Sequence, residues 1–221
     1  MKTHRLYLRL LACAMFLPCL QACVPVLAGG AGAGMAAATD RRTSGAYVED
    51  EGIEWRAISA ANQASKDQAH VNATSYNRNL LLTGEAPNEE IRQAIAHAAA
   101  RIPNVRSVTN EIIVGLNTDL SSRTNDTYVT SKVKGRFLND ATFGAHRVKV
   151  VTENGTVFLM GLVTQREANT ATGIARTTSG VKKVVRVFEY VTDETAKAIE
   201  EEERKQKELD AAKASQPSIA P

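Results

Sequence analysis

Apolar residues recur along this chain first at helical spacing and then at strand spacing, and they do so twice. The clearer instance runs from residue 126 to 163, DTYVTSKVKGRFLNDATFGAHRVKVVTENGTVFLMGLV. Val129, Val133 and Phe137 share one stripe of a helix. Val148, Val150 and Thr152 then form one face of a strand. Glu153-Asn154-Gly155 is a hairpin turn, because Asn and Gly tolerate positive φ. Residues 156–163 return as a second strand. A helix over 165–178 follows, with Ala168, Ala171, Ile174 and Ala175 inward. Ser179-Gly180 ends it, and residues 181–191 are a last strand.

A weaker copy lies about 77 residues upstream: Val71 aligns with Val148, Ala73 with Val150, Asn77 with Asn154 and Gly84 with Gly161. Asp50 is placed as the cap of a helix over 51–64, with Ile53, Ala57, Ala60 and Ala61 inward. Strands follow around Val71–Ser75 and 80–84, joined by a turn at 76–79. Asn88 caps a second helix with Glu89 and Glu90 in its positive first turn. Ile91, Ile95, Ala98, Ala99 and Ile102 face inward there, and Pro103-Asn104 stops it before a third strand over 105–114. The repeat sets the architecture. The fold class is α+β, with two tandem units, 48–117 and 125–192, each in the order α-β-β-α-β. Gly84 and Gly161 are read as permitting tight helix–sheet packing.

The ends are of another kind. Lys2, Arg5 and Arg9 precede a short apolar run, so residues 1–22 read as a secretory signal too short to span a bilayer. Leu20-Gln21-Ala22-Cys23 is similar to a bacterial lipobox, whose cysteine is lipidated after cleavage. The competing reading is a plain signal cut near Ala22 that leaves Cys23 a free thiol. Cys13 and Cys19 leave with the signal, so no intramolecular disulfide remains. Val24 follows the cysteine where aspartate is linked with inner-membrane retention in enteric bacteria. The resemblance to that sorting rule implies the outer membrane, periplasmic face. Residues 23–47 read as a flexible tether, Gly/Ala-rich at first and ending in Asp40-Arg41-Arg42. Residues 193–221 read as a charged, solvated helix with Glu200/Arg204, Glu201/Lys205 and Glu203/Lys207 pairs, fraying into a disordered end.

Charge separates the two units. Without residues 1–22, 199 residues remain with 24 basic and 24 acidic side chains. The first unit holds six basic and nine acidic residues, the second ten basic and five acidic. At 100° per residue, Tyr128, Ser131, Gly135 and Leu138 face away from the Val129 stripe, flanked by Lys132, Lys134 and Arg136. Apolar anchors ringed by cations suit an interface with anionic headgroups. The competing reading packs Tyr128 and Leu138 on the neighbouring domain. The first unit's opening helix, with Glu49, Asp50, Glu51 and Glu54, has the wrong sign for lipid, and Trp55 is expected at the domain interface.

No catalytic pattern emerges, and no enzyme is expected. His70, His97 and His146 are scattered and no Cys/His ligand spacing exists, so no metal is expected. Gly29–Gly34 lacks a following Lys-Ser/Thr, and no serine has a G-x-S-x-G context. No cofactor is expected. The exported location and zero mature charge disfavour nucleic acid.

Several segments resemble the dual BON-domain lipoproteins of Gram-negative outer membranes: Ala37-Ala38-Thr39-Asp40-Arg41-Arg42, Asn125-Asp126-Thr127-Tyr128, Val150–Gly155 through Val157–Thr164, and Ser179-Gly180-Val181-Lys182. The resemblance covers Cys23 to about Tyr190. It implies, for each unit, a three-stranded mixed sheet packed against two helices. It also implies phospholipid binding rather than catalysis, through the first helix of the second domain, and so by Tyr128, Ser131, Lys132, Lys134, Gly135, Arg136 and Leu138 here. The expected partner is an anionic membrane of phosphatidylglycerol or cardiolipin. The resemblance further implies a role in outer-membrane integrity, with links to division sites and to the outer-membrane protein assembly machinery. One relative has tryptophan as the lipid-facing aromatic where this chain has Tyr128, which suits an interface but buries less apolar area. A second reading is a periplasmic adaptor that recruits assembly or peptidoglycan-remodelling proteins through the acidic first domain and the charged tail.

Overall fold

The second unit opens on helix α3, Leu120–Leu138, which starts earlier than the apolar stripe reveals. Val129, Val133 and Phe137 are buried on it. They pack on a three-stranded sheet of β5 (Lys149–Glu153), β6 (Thr156–Val163) and β7 (Lys183–Tyr190), beside helix α4, Gln165–Arg176. β5 pairs β6 antiparallel and β7 pairs β6 parallel. The computed structural model describes residues 40–116, 120–140 and 144–214. Cys23, the signal segment and most of the tether lie outside the described residues, as do residues 215–221.

The first unit repeats the plan with α1 (Ser44–Ser65), β1 (His70–Tyr76), β2 (Asn79–Ala86), α2 (Glu89–Ala99), β3 (Ser107–Asn110) and β4 (Ile113–Val114). The single strand expected over 105–114 is two short ones, both parallel to β2, so this sheet has four strands. Between them Ile112 turns inward and is buried, which interrupts the ladder.

α1 also departs from expectation. Thr43, not Asp50, is its cap, and its hydroxyl accepts from Ala46 N–H at 3.1 Å. Asp50 lies about two turns further along the helix and is buried. Its carboxylate accepts from the backbone N–H of Asn77 and of Arg78, each at 2.7 Å. These two residues are the hairpin turn, with φ of 50° and 65°. Asp126 does the same in the second unit, accepting from Asn154 N–H and Gly155 N–H at 2.8 Å, where φ is 52° and 74°. The buried stripe shares this alignment: Asp50, Ile53, Ala57 and Ala61 answer Asp126, Val129, Val133 and Phe137. Two charge-assisted bonds hold a turn whose backbone is otherwise costly for a residue such as Arg78.

The glycines serve strands rather than helix–sheet packing. A Cβ on Gly84 would strike the carbonyl of His70, and one on Gly161 the carbonyl of Arg147. Each lets the incoming segment cross its sheet neighbour closely.

The two sheets stack back to back. Phe158, Met160 and Leu162 project from β6 on the side away from the helices and meet Tyr76 and Leu81 of the first unit. β6 is therefore buried on both faces, which is why Val157–Val163 reads as a continuous apolar run. Burying each such side chain contributes about 1.5–3 kcal/mol. A polar rim fixes the register: Lys149 Nζ meets Glu54 at 2.8 Å, and Glu189 accepts from Asn77 at 2.8 Å and Asn79 at 3.1 Å. All described residues fall within one compact unit whose bounds are Ala38–Pro221.

The chain end expected as tether and the tail expected as solvated are both docked. Arg41 is buried, donating to Leu162 O at 3.0 Å, to Glu167 at 2.7 Å and to Glu200 at 2.5 Å. Arg147 joins Glu167 and reaches Glu200 at 2.7 Å. Glu200 belongs to α5, Asp193–Ala214, which also buries Ala196 and packs Ile199 on the inter-sheet core. Arg42 lies over the Tyr76 ring, 4.2 Å from its centre, and pairs with Asp50 at 2.7 Å. Arg41 and Arg42 thus bind the entering chain to both domains. Of the expected tail pairs, only Glu201–Lys205 forms an ion pair, at 3.2 Å, because Glu200 is taken by Arg41 and Arg147.

Replacing Asp126→Ala should cost about 3 kcal/mol in denaturant unfolding, since two turn N–H groups lose a charged acceptor. Glu167 supplies a pH signature. Burial opposes its ionisation, but Arg41, the Thr164 N–H and the charge of Arg147 outweigh burial and hold its carboxyl down to about 2. That lies below the unfolded value of about 4.3. The stability it contributes is therefore complete above about pH 4.5 and is lost as pH falls toward 2. A thermal-melt series over that range should show a smaller acid loss in Glu167→Gln.

Candidate functional site

The outer face of α3 is built by the stripe beneath it. With Val129, Val133 and Phe137 inward and Asp126 tied to the turn, the helix cannot rotate. Tyr128 is then 62% exposed and Leu138 76% exposed. Neither packs on the first domain. Ten residues separate them, about 15 Å along the axis. Ser131 lies between, its hydroxyl donating to Thr127 O at 3.0 Å. Gly135 leaves open space where a side chain would stand.

The cations flanking this face are not equivalent. Lys132 and Arg136 lie on the α4 side. Lys132 Nζ donates to Ser179 O and lies over the Tyr128 ring, 4.5 Å from its centre. Arg136 donates to Ile174 O at 2.9 Å, Thr177 Oγ1 at 3.0 Å and Thr178 Oγ1 at 2.8 Å. Both therefore complete the carbonyl end of α4, where positive charge is favoured. Lys132 also props the Tyr128 ring through a cation–π contact.

Lys134 is on the opposite flank and is exposed. With Arg123, eleven residues earlier and on the same face, it lines an open groove of about 530 Å³. Neither makes a side-chain hydrogen bond or ion pair among the described residues. Arg123 lies outside the 126–163 stretch that the hydrophobic pattern marks out, on a part of α3 with no apolar stripe. The eleven-residue spacing to Lys134, three helical turns, was its available signal.

Trp55 corrects the expectation of a residue packed between domains. It is 74% exposed on α1, one face with Val48, which is 71% exposed. By the alignment of the two helices, Trp55 answers Ser131 and Gly52 answers Tyr128, so each domain presents one large aromatic on its first helix. Near Trp55 in the sequence, Glu54 is held by Lys149 at 2.8 Å and Arg56 pairs with Glu49 at 2.6 Å.

Among the described residues no group of His, Cys, Asp and Glu could hold a metal ion, and no helix is long and apolar enough to cross a membrane.

The BON-domain family model matches residues 50–115 and 125–192. Outer membrane lipoprotein DolP of Haemophilus influenzae is 38% identical over 174 residues, 78% of this chain and 90% of that one. The 21 kDa hemolysin of Actinobacillus pleuropneumoniae is 35% identical over 154 residues, 69% of this chain and 79% of that one. Neither carries an enzyme's name. Two matched domains over most of the chain, on two units of the same helix-and-sheet plan, make this a tandem member of the BON-domain family, similar in sequence to the DolP lipoprotein.

Proposed function

We propose that this chain is an outer-membrane lipoprotein, anchored through Cys23 on the periplasmic face, whose second BON domain docks on anionic phospholipid and supports outer-membrane integrity. The similarity to a relative named an outer membrane lipoprotein supports the location. The lipobox-like Leu20–Cys23 supports the anchor. The observation that carries the docking is the α3 face: Tyr128 and Leu138 are exposed, in a domain of ten basic and five acidic residues. An anchored protein needs little added affinity to settle its orientation. One apolar anchor at each end of a 15 Å face, with cations beside them at about 1 kcal/mol each near an anionic surface, supplies that. The division-site link stays an implication of the family resemblance.

A second reading, an adaptor for outer-membrane protein assembly or peptidoglycan remodelling, is favoured by one observation. The Trp55–Val48 face is open and belongs to the domain with nine acidic and six basic residues.

The two readings are tested apart. Residues 38–221, titrated with phosphatidylglycerol or cardiolipin micelles, should show NMR shifts at Tyr128, Lys134 and Leu138. If those signals stay put, docking through α3 is wrong. Leu138→Glu should weaken binding at least fivefold and leave stability within about 0.5 kcal/mol of the parent, as for an exposed residue. A large fall in melting temperature would place Leu138 in the core instead. For the adaptor, a photo-crosslinker at position 55 should trap one specific protein in cells, and recovering none would reject it.

A further inference from the structure

The groove beside α3 has walls from both domains. α3 supplies Arg123, Thr127, Thr130 and Lys134, and β1 of the first domain supplies His70 and Asn72. Its carboxylates are already committed. Asp126 accepts from Asn154 N–H and Gly155 N–H, and Glu153 accepts from Asn72 Nδ2 at 2.9 Å and Thr83 Oγ1 at 3.1 Å. Its cations are not. Arg123 Nε is buried with no hydrogen-bond partner, and neither its guanidinium nor the Lys134 ammonium meets a carboxylate among the described residues. The His70 ring likewise makes no hydrogen bond or ion pair among them. A groove in which the acids are bound and the donors are left over takes an anion.

The ends of the groove can be told apart. Asp126 grips the β5–β6 turn, and Glu153 just before that turn meets Asn72. The first domain therefore meets α3 near the end of the helix that carries Arg123. Lys134 lies about 16 Å further along, so one phosphate cannot touch both. We propose that the Arg123 end of this groove seats the phosphodiester of an anionic phospholipid headgroup, with His70 and Asn72 of the first domain completing it. Lys134 meets a neighbouring headgroup at the other end. This rests on the membrane reading of α3 and changes it. The seat spans two domains, so an acidic first domain is nonetheless part of it. On the other flank Lys132 and Arg136 position α4 and the Tyr128 ring, with donors already engaged by neutral oxygens, and add only their charge.

The test uses residues 38–221, which carry both domains and their shared core. Binding to phosphatidylglycerol vesicles is compared for the parent, Arg123→Gln, His70→Glu, Leu138→Glu and a control, Arg101→Gln, which removes one exposed charge elsewhere. Arg123→Gln should lose about fivefold in partitioning, the effect of one cation near an anionic surface. His70→Glu should lose at least as much, and Arg101→Gln should match the parent. In the unmutated protein, the His70 and Asn72 amides should shift with phosphatidylglycerol micelles and stay still with glycerol 3-phosphate at equal phosphate, so the result does not depend on any variant folding. If Leu138→Glu loses binding while Arg123→Gln and His70→Glu bind like the parent and those amides do not move, the seat is rejected and the helix reading survives. If the parent ignores phosphatidylglycerol altogether, both fall. Shifts at His70 and Asn72 with glycerol 3-phosphate alone would make the groove a site for soluble phosphate esters and overturn the lipid assignment.

Discussion

The contact on which the rest depends is a helix carboxylate holding a hairpin turn, made once in each domain. A two-residue turn with both φ values positive is costly for most side chains other than Asn and Asp, and Arg78 sits in such a turn. Asp50 and Asp126 stabilise the two turns from above with two N–H bonds each. The same bonds fix the helix's rotation about its axis. A helix with one narrow apolar stripe could otherwise roll by tens of degrees. Tied at the turn and at the stripe, α3 has one orientation, and the residues it turns outward follow from that.

The second constraint is the outer face of each sheet. A three- or four-stranded sheet with helices on one side leaves an apolar back. Here the two backs cover each other through Phe158, Met160, Leu162, Tyr76 and Leu81. That contact consumes the surface each domain would need to act alone. It leaves the first helices as the outward features, and it brings β1 of one domain beside α3 of the other. The groove is a consequence of that stacking and has no counterpart in a single domain. Arg41 and Arg42 then tie the entering chain to both halves, and Glu200 ties α5 to the same cluster.

What could be read from residues, and what could not, divides along local and distant interactions. The stripes, the Asn154-Gly155 turn, the Asn88 cap and the exposure of Tyr128 and Leu138 all follow from periods of 3.6 and 2 within one element. So does the repeat, once Asn77 and Asn154 are set side by side. Asp50 reads as a cap because a carboxylate near a helix start has that role by default, and its true partners lie 27 and 28 residues away. Arg41, Arg42 and Glu200 looked like tether and tail because their partners are up to 159 residues distant. Trp55 was expected to be covered because large aromatics usually are, and nothing in its neighbourhood in sequence says that the sheets, not the helices, meet.

Charge counting shows the same limit in sharper form. The second domain's excess of basic residues points to it as the anion-binding half, and a helical wheel puts Lys132, Lys134 and Arg136 around one face without distinguishing them. The carbonyl end of α4 distinguishes them. Lys132 and Arg136 are drawn to Ser179 and Ile174, where carbonyl oxygens at the helix end and the helix dipole already offer negative potential. Lys134 and Arg123 find no such partner. The donors available to a ligand are those that remain after the fold's own acceptors are served, although Lys132 and Arg136 keep their charge. On α3 that remainder lies on the flank facing the first domain, although the first domain is the acidic one. Net charge per domain therefore does not say on which edge of α3 the side-chain donors are left unengaged.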